Sequence, residues 1–363
     1  MAKRVSVDRW LFGTTLLLVL LGLVMVFSAS AVMAGDRYGS PYTFVVRQIA
    51  WAVAGILAMV VLMRMDYRRL KHPAFVFTLL GLTVILLVGV LFLDRSHNTH
   101  RWIRFASFSF QPSELAKPAL ILFLAYFLET RTKAIEDWRR TLLPAALPSL
   151  LFSLLIVKQP DLGTALVCMA MTASVLYVAG MELKYLGYAV VASLPMLYYL
   201  LFHVGFRRQR MLAFLDPWAD PQGAGFHMIQ SLIAVGTGGI TGLGLMEGKQ
   251  KLFYLPEPHT DFIFAVIAEE LGLLGTIAVV VLFGILCYRG MRAAIRTSDL
   301  FGRFLAVGIT STIAIQAFFN ISVVLGILPT KGIPLPLISY GGTSLFITLA
   351  CIGVLLNVSQ QAE

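Results

Sequence analysis

Long apolar stretches separated by short polar loops run along the whole chain. Ten apolar segments can be counted, at roughly 10–33, 45–63, 73–93, 109–128, 142–157, 161–180, 185–202, 262–287, 302–325 and 339–358. An apolar helix of about 20 residues is long enough to cross the hydrocarbon core of a bilayer. The pattern therefore predicts an all-α polytopic integral membrane protein with about ten transmembrane helices.

The loops between these segments differ strongly in length. Only "KQPD" (158–161) separates the fifth and sixth segments, which predicts a tight helical hairpin. The longest polar stretch, about 203–260, precedes the eighth segment. No internal repeat or low-complexity linker divides the sequence, so residues 1–363 are expected to form a single membrane domain.

The distribution of basic residues predicts the orientation. Ten crossings place both termini on the same side of the membrane. Sixteen lysines and arginines lie in the loops on that side, and seven lie in the short loops on the other. Because cytoplasmic loops carry the excess of positive charge, both termini are predicted to be cytoplasmic and 203–260 extracytoplasmic. Asp261 then lies at the outer boundary of the membrane.

Composition narrows the possible functions. The chain is 58% hydrophobic and 13% charged. Cys168, Cys287 and Cys351 all fall inside apolar segments, which argues against a disulfide framework and against a cysteine metal site. The net charge of +10 is explained by the basic loops that membrane insertion requires, so no nucleic-acid partner is expected.

Ionisable residues inside apolar segments mark functional sites by default, because they are expensive in a bilayer. Glu114 and Lys117 lie three residues apart on one helix face and can form an ion pair. Such a pair can serve helix packing alone or can also line a polar cavity. Asp161 begins the sixth segment, where capping of the helix and contact with a substrate are equally compatible with its position.

Arginines also lie on the side of the membrane where few are expected. "THRWIRF" (99–105) contains Arg101 beside Trp102, and "FRRQR" (206–210) contains Arg207 and Arg210. An anionic ligand at the outer leaflet would explain them, since guanidinium groups bind phosphate in a bidentate manner. Attraction to anionic lipid headgroups is the alternative.

Two further stretches combine polar residues with irregular backbone. "LPEPHTDFIFAVIAEELG" (255–272) places His259, Thr260 and Asp261 just before a helix. "LPTKGIPLPLISYGGTS" (328–344) mixes prolines and glycines and includes Ser339 and Tyr340. Irregular backbone at membrane depth is tolerated where protein or water satisfies it, so the second stretch is expected to form a cavity wall.

These motifs together resemble those of a known family. "HRWIRF", "FQPSELAK", "KQPDLGTAL", "LPEPHTDFIFAVIAEELG" and "LPLISYGGTS" are similar, in the same order, to signatures of the SEDS proteins (shape, elongation, division and sporulation). This family contains the FtsW and RodA polymerases of bacterial cell-wall synthesis. "DPWADPQGAGF", "QKLFYLPE" and "LPTKG" look more like the division type, FtsW, than the elongation type, RodA.

The resemblance implies an enzyme of the bacterial cytoplasmic membrane, acting at the division septum. It would be an inverting glycosyltransferase that polymerises lipid II and releases undecaprenyl pyrophosphate, with Asp261 matching the family's essential aspartate and acting as general base. Residues expected to contact substrate are Arg101, Trp102, Glu114, Lys117, Asp161, Arg207, Arg210, His259, Thr260, Ser339 and Tyr340. The resemblance implies no organic cofactor and leaves a divalent cation open.

The same resemblance also implies protein partners, and it leaves other functions open. The expected partners are a class B penicillin-binding protein, which would supply transpeptidation, and other membrane proteins of the division machinery. A lipid II flippase, an elongation-type polymerase and a scaffold that only recruits a synthase are the competing interpretations. Polymerisation needs a base at the outer surface, whereas translocation needs polar groups through the full depth of the bilayer.

Overall fold

The computed structural model describes residues 7–93, 100–105, 108–131 and 137–361, and these residues are mainly helical. The α-helices are α1 Arg9–Tyr38, α2 Thr43–Arg64, α3 Pro73–Leu93, α4 Pro112–Glu129, α5 Leu143–Lys158, α6 Leu162–Val178, α7 Leu183–Phe202, α8 Gly205–Leu215, α9 Phe226–Gly238, α10 Ile263–Arg296, α11 Leu300–Val324 and α12 Gly342–Gln361. A small antiparallel hairpin precedes α4, with strands β1 Ile103–Phe105 and β2 Phe108–Phe110. Short helical turns at Tyr67–Lys71, Trp138–Leu142 and Pro217–Ala219 complete the secondary structure of the described residues.

Each of the ten predicted apolar segments contains a helix, and the prediction of an all-α polytopic membrane protein is confirmed. Among the described residues, eight helices are long and apolar enough to cross a membrane, with α5 counted together with the turn before it as one helix, Trp138–Lys158. The other two predicted spans correspond to α4, which carries three charged residues, and to α6, which is apolar but only 17 residues long. Crossing of the membrane by α4 and α6 stays a prediction. The predicted hairpin of the fifth and sixth segments is confirmed, since α5 and α6 pack against each other across a three-residue turn.

The two termini lie at the same end of the helix bundle. At this end the Asp8 carboxylate pairs with Arg289 at 2.6 Å. The backbone nitrogen of Tyr67 donates to the side chain of Asn357 near the carboxyl terminus, and the Tyr67 hydroxyl donates to Asp299. The side on which this end lies is predicted by the positive-inside rule alone.

Acidic residues begin several of these helices, because a carboxylate accepts hydrogen bonds from the exposed N–H groups of the first turn. Asp8 accepts from the backbone nitrogens of Trp10 and Leu11 and starts α1. Asp299 accepts from the backbone nitrogen of Gly302 and starts α11. Helix α11 packs against α4, α6, α10 and α12, so its start and end fix the position of much of the bundle.

The region 203–260, predicted as one long loop, contains the helices α8 and α9. The prediction missed them because neither is apolar and long enough to register as a span: α8 is polar, with three arginines among its eleven residues, and α9 has thirteen residues. The region is therefore folded, and it packs against the start of α10.

Helix α10 is broken at Gly272, where φ is 65° and ψ is −160°. A side chain at this position would lie 2.3 Å from the backbone nitrogen of Gly242, and L-residues rarely adopt this φ. The part from Leu273 to Arg296 is about 36 Å long at 1.5 Å per residue, which is enough to cross a bilayer by itself. The short part, Ile263–Leu271, is thus a separate helical segment, and it begins two residues after Asp261.

Candidate active site

An open cleft of about 840 Å³ lies at the end of the bundle away from the termini. Its lining comes from five separate regions of the chain. The residues are Arg101, Pro160, Asp161, Leu162, Leu201, Arg207, Arg210, Met211, Asp261, Pro329, Thr330, Lys331 and Gly332. Charged groups therefore meet apolar ones in the same cleft.

The fold brings five of the predicted site residues into this cleft. They are Asp261, Asp161, Arg101, Arg207 and Arg210. More than 150 residues separate Arg101 from Asp261 in the sequence, and the order of the helices alone does not place them together. The cleft thus has two carboxylates and three guanidinium groups from the set that the sequence indicated.

A side chain of α11 holds the backbone of Asp261 in place. The side-chain nitrogen of Asn320 donates to the backbone carbonyl of Asp261 at 2.8 Å and to that of Ile333 at 2.7 Å. A Cβ atom added to Gly332 would lie 2.6 Å from Oδ2 of Asp261, so the carboxylate packs directly on a glycine. Burial raises the pKa of Asp261 to about 6, and the negative charge of Glu257 adds to this effect.

His259, Thr260, Ser339 and Tyr340 do not line the cleft; they connect the two polar stretches behind it. The Ser339 hydroxyl donates to the Thr260 carbonyl at 2.6 Å, and the Tyr340 backbone nitrogen donates to the His259 carbonyl at 2.9 Å. The His259 ring packs against Phe44 and Tyr340 at centroid distances of 4.7 and 5.5 Å. Burial lowers the pKa of His259 to about 4, so this ring is neutral at physiological pH. The structure places these four residues where they hold the Asp261 loop.

Asp161 and Arg101 meet at the turn between α5 and α6. Asp161 accepts hydrogen bonds from the backbone nitrogen and the hydroxyl of Thr164, at 3.1 and 2.7 Å, and so caps α6 while it also lines the cleft. The Arg101 guanidinium donates to the backbone carbonyls of Gln159 at 2.9 Å and of Pro160. These contacts hold the guanidinium in one orientation at the cleft wall.

Lys331 is a cleft residue that was not predicted from the sequence. Burial lowers its pKa to about 7, and the neighbouring arginines lower it further while Asp161 opposes them. Burial also lowers the pKa of Arg207 and of Arg210, and the positive charge of Arg101 acts in the same direction. The available signal was the charged residue in "LPTKG", at the start of the stretch predicted as a cavity wall. The cleft lining carries four cationic side chains and two carboxylates.

The ion pair predicted between Glu114 and Lys117 is present at 2.7 Å and is buried, with side chains 3% and 4% exposed. Neither residue lines the cleft. Lys117 borders a separate small pocket, whose walls come from α4, α11 and α12. Trp102 follows Arg101 just before β1 and is also not part of the cleft lining.

Metal binding has no obvious location in the described part of the chain. There, no three side chains of His, Cys, Asp or Glu stand close enough together to hold a metal ion. Arginine and lysine side chains line the cleft, where they can bind the phosphate groups of a ligand.

Comparison with known proteins agrees with this architecture. The sequence profile of the cell cycle proteins FtsW, RodA and SpoVE matches residues 8–363. The chain is 46% identical over 343 residues to a probable peptidoglycan glycosyltransferase FtsW of Geobacter metallireducens, covering 94% of this chain and 92% of the relative. It is 43% identical over 366 residues to stage V sporulation protein E of Bacillus subtilis, covering 99% of both.

A solved structure shows the same fold. It is a chain of a peptidoglycan synthase complex described as coordinating polymerization and crosslinking. The two chains superpose with a TM-score of 0.79 at 32% identity, and the match covers 98% of each.

Proposed function

The chain belongs to the FtsW, RodA and SpoVE family of cell cycle proteins, and we propose that it is a peptidoglycan glycosyltransferase that polymerises lipid II into glycan strands. The proposal is carried by one observation: a carboxylate with a raised pKa, Asp261, shares a cleft with Arg101, Arg207, Arg210 and Lys331. A base next to a cluster of cations suits a reaction that removes a proton from a hydroxyl and releases a diphosphate.

Asp261 acts as the general base. A sugar hydroxyl is a weak nucleophile and needs a base within hydrogen-bond reach. Asp261 takes the hydroxyl proton while the oxygen attacks the anomeric carbon from the face opposite the leaving group. The bond between that carbon and the pyrophosphate oxygen breaks, and its electron pair leaves with undecaprenyl pyrophosphate. A pKa of about 6 leaves most of the carboxylate ionised at neutral pH, and it is high enough for proton transfer.

The cationic residues stabilise the leaving group. Negative charge grows on the pyrophosphate as the bond breaks, and fixed positive groups in a partly dehydrated site stabilise that charge strongly. Arg101 is already oriented by its bonds to the α5–α6 turn, so it needs little rearrangement on binding. Arg207, Arg210 and Lys331 complete the cluster. A second carboxylic acid is not needed, because pyrophosphate leaves without protonation.

The apolar side of the cleft fits the lipid part of the substrate. Leu162, Leu201 and Met211 line it beside the charged groups. Leu201 belongs to α7, an apolar helix none of whose residues is buried, which suits contact with the bilayer at this wall of the cleft. A polyprenyl chain can thus stay in the membrane while its pyrophosphate and sugar enter the cleft.

The proposal extends to location and partners. A role at the division septum of the cytoplasmic membrane is supported by the similarity to proteins named FtsW. A class B penicillin-binding protein as partner is supported by the likeness to a chain of the synthase complex. Other division proteins of the membrane stay an expectation. A fluorescent fusion that labelled only the side wall would favour the elongation-type alternative.

The test is a reconstitution with lipid II. The full-length protein in vesicles, with fluorescent lipid II and with or without its transpeptidase partner, should produce glycan strands visible as a ladder on a gel. The same vesicles report translocation when a membrane-impermeant quencher is added. Lipid II that crosses the bilayer without forming polymer would support the flippase and contradict the enzyme. If the protein neither polymerised nor translocated lipid II, and cells carrying Asp261→Ala grew normally, the scaffold interpretation would be supported.

A further inference from the structure

A buried charge cluster lies behind the cleft at the far end of the segment Ile263–Leu271. Lys251 pairs with Glu270 at 2.7 Å, and the two side chains are 4% and 0% exposed. The Ser28 hydroxyl of α1 donates to both carboxylate oxygens of Glu270 at 2.7 Å and accepts from Lys251 at 3.0 Å. Three regions that are distant in the sequence are therefore joined at one carboxylate.

Glu269, the preceding residue, accepts hydrogen bonds from backbone N–H groups. Its carboxylate accepts from the backbone nitrogens of Lys249, at 2.8 Å, and of Gln250, at 3.2 Å. The backbone nitrogen of Met246 donates to Glu270 at 3.1 Å. The two adjacent glutamates thus fasten the loop 246–251 onto the short segment.

The backbone adds a second set of bonds between the same elements. Leu243 and Gly244 donate through their backbone nitrogens to the carbonyls of Glu269 and Glu270, both at 3.0 Å. Beyond the break, the backbone nitrogen of Leu273 donates to the carbonyl of Gly239 at 2.9 Å. The carboxyl end of the segment is held on several sides.

Asp261 lies at the other end of this segment. All residues from Ile263 to Glu270 are buried, so the segment is closely packed by its surroundings. Glu270 is about 13 Å from Asp261 at 1.5 Å per residue, which excludes direct contact with the reacting atoms. Rotation or sliding of the segment at Glu270 would nevertheless move the Asp261 carboxylate relative to the cleft.

We propose that Lys251 and Glu270 are positioning residues for Asp261, and that Ser28 supports them from α1. Their ion pair anchors the short segment so that the Asp261 carboxylate points into the cleft. Neither side chain lines the cleft. Because this role depends on Asp261 being the catalytic base, it deepens the proposed function.

The test compares Lys251→Met with Arg289→Met in the full-length protein, reconstituted with lipid II. Lys251→Met leaves the Glu270 charge buried without its cation. Arg289→Met breaks the ion pair with Asp8 at the opposite end of the bundle. Displacement of a reacting group by about 1 Å can lower a rate about 100-fold. We expect Lys251→Met to lower kcat about 10-fold to 100-fold with KM for lipid II within about twofold of wild type.

Two further readouts separate positioning from loss of stability. Lys251→Arg keeps the charge and should retain most of the kcat, whereas Arg289→Met should leave the kcat of the folded protein unchanged. Amide hydrogen exchange over 263–270 should rise in Lys251→Met and stay at the wild-type rate in Arg289→Met. If Lys251→Met does not fold, the pair Lys251→Met with Glu270→Gln removes both charges and is measured instead.

The proposal is overturned if Lys251→Met keeps the wild-type kcat, if only its KM rises, or if Arg289→Met lowers kcat by the same factor. Wild-type protein that forms no glycan from lipid II would contradict the proposed function instead. In that case the exchange measurement still decides whether Lys251 anchors the segment.

Discussion

The side chain of Asn320 donates to the backbone carbonyl of Asp261 at 2.8 Å, and it is 2% exposed. The same nitrogen donates to the carbonyl of Ile333 at 2.7 Å. One side chain of α11 therefore holds both the loop that carries Asp261 and the loop that carries Lys331. The Asn320 amide therefore helps to set the distance between Asp261 and Lys331.

Asn320→Asp should lower kcat about 10-fold or more, because it replaces the donor by an acceptor and leaves two carbonyls without their bonds, each worth about 1 kcal/mol. Asn357→Asp is the matched control. Asn357 is equally buried and bonds Tyr67 and Met63 at the end of the bundle away from the cleft. Both variants should lower the thermal midpoint, but only Asn320→Asp should slow polymerisation per folded molecule. Equal kcat in the two variants would contradict the role of Asn320.

Gly332→Ala should also lower kcat, about 10-fold to 100-fold, because its new methyl group would have to displace the Asp261 carboxylate from a 2.6 Å approach. The control is Gly236→Ala in α9, where an added Cβ meets no atom within 4 Å. This control should keep its activity, and helix propensity favours alanine there by up to about 1 kcal/mol. Steady-state rates with lipid II would decide, and wild-type activity of Gly332→Ala would show that the carboxylate does not need its present position.

Local sequence patterns predicted the helices, whereas contacts between distant residues determine which side chains form the cleft. The ten apolar segments each contain a helix, and the i,i+3 spacing of Glu114 and Lys117 predicted an ion pair that forms at 2.7 Å. Apolar length and residue spacing are properties of a single segment, which is why they can be read from the sequence. The location of that pair outside the cleft depends on how α4 packs against α11 and α12, and no local pattern contains this information.

Other features of the site could be identified only from the folded structure. Lys331 reaches the cleft because Asn320 holds its loop next to Asp261, a contact across 59 residues. The anchor formed by Lys251 and Glu270 joins residues 19 positions apart across the start of α10. Glu269 and Glu270 bind the loop 246–251, and Glu270 also binds α1.

The pH dependence of kcat/KM should be bell-shaped. Asp261 acts in its ionised form, so activity should rise as pH increases through its pKa of about 6. Lys331 acts in its protonated form, so activity should fall as pH increases through its pKa of about 7. Lys331→Arg should move the alkaline limb upward and leave the acid limb in place, because a guanidinium stays charged throughout this range. An alkaline limb that does not move in Lys331→Arg would contradict the assignment.

The arginines of α8 should differ in their importance although they are near neighbours. Arg210 lines the cleft and Arg208 does not. Arg210→Ala should lower kcat/KM for lipid II about 10-fold to 100-fold, as expected for loss of a hydrogen bond to a charged group worth about 1.5–3 kcal/mol. Arg208→Ala removes the same charge from the same helix and should change kcat/KM less than about threefold, because Arg208 does not line the cleft. Equal losses would indicate a general attraction to anionic lipid instead of a pyrophosphate site.

The catalytic role of Asp261 is tested most directly by Asp261→Asn, assayed for glycan polymerisation in vesicles containing lipid II. Asparagine keeps the size of the side chain and removes its basicity. We expect a rate about 10²-fold to 10⁴-fold below wild type, with lipid II binding and the thermal midpoint close to those of the unchanged protein. Polymerisation by Asp261→Asn at the wild-type rate would contradict this role.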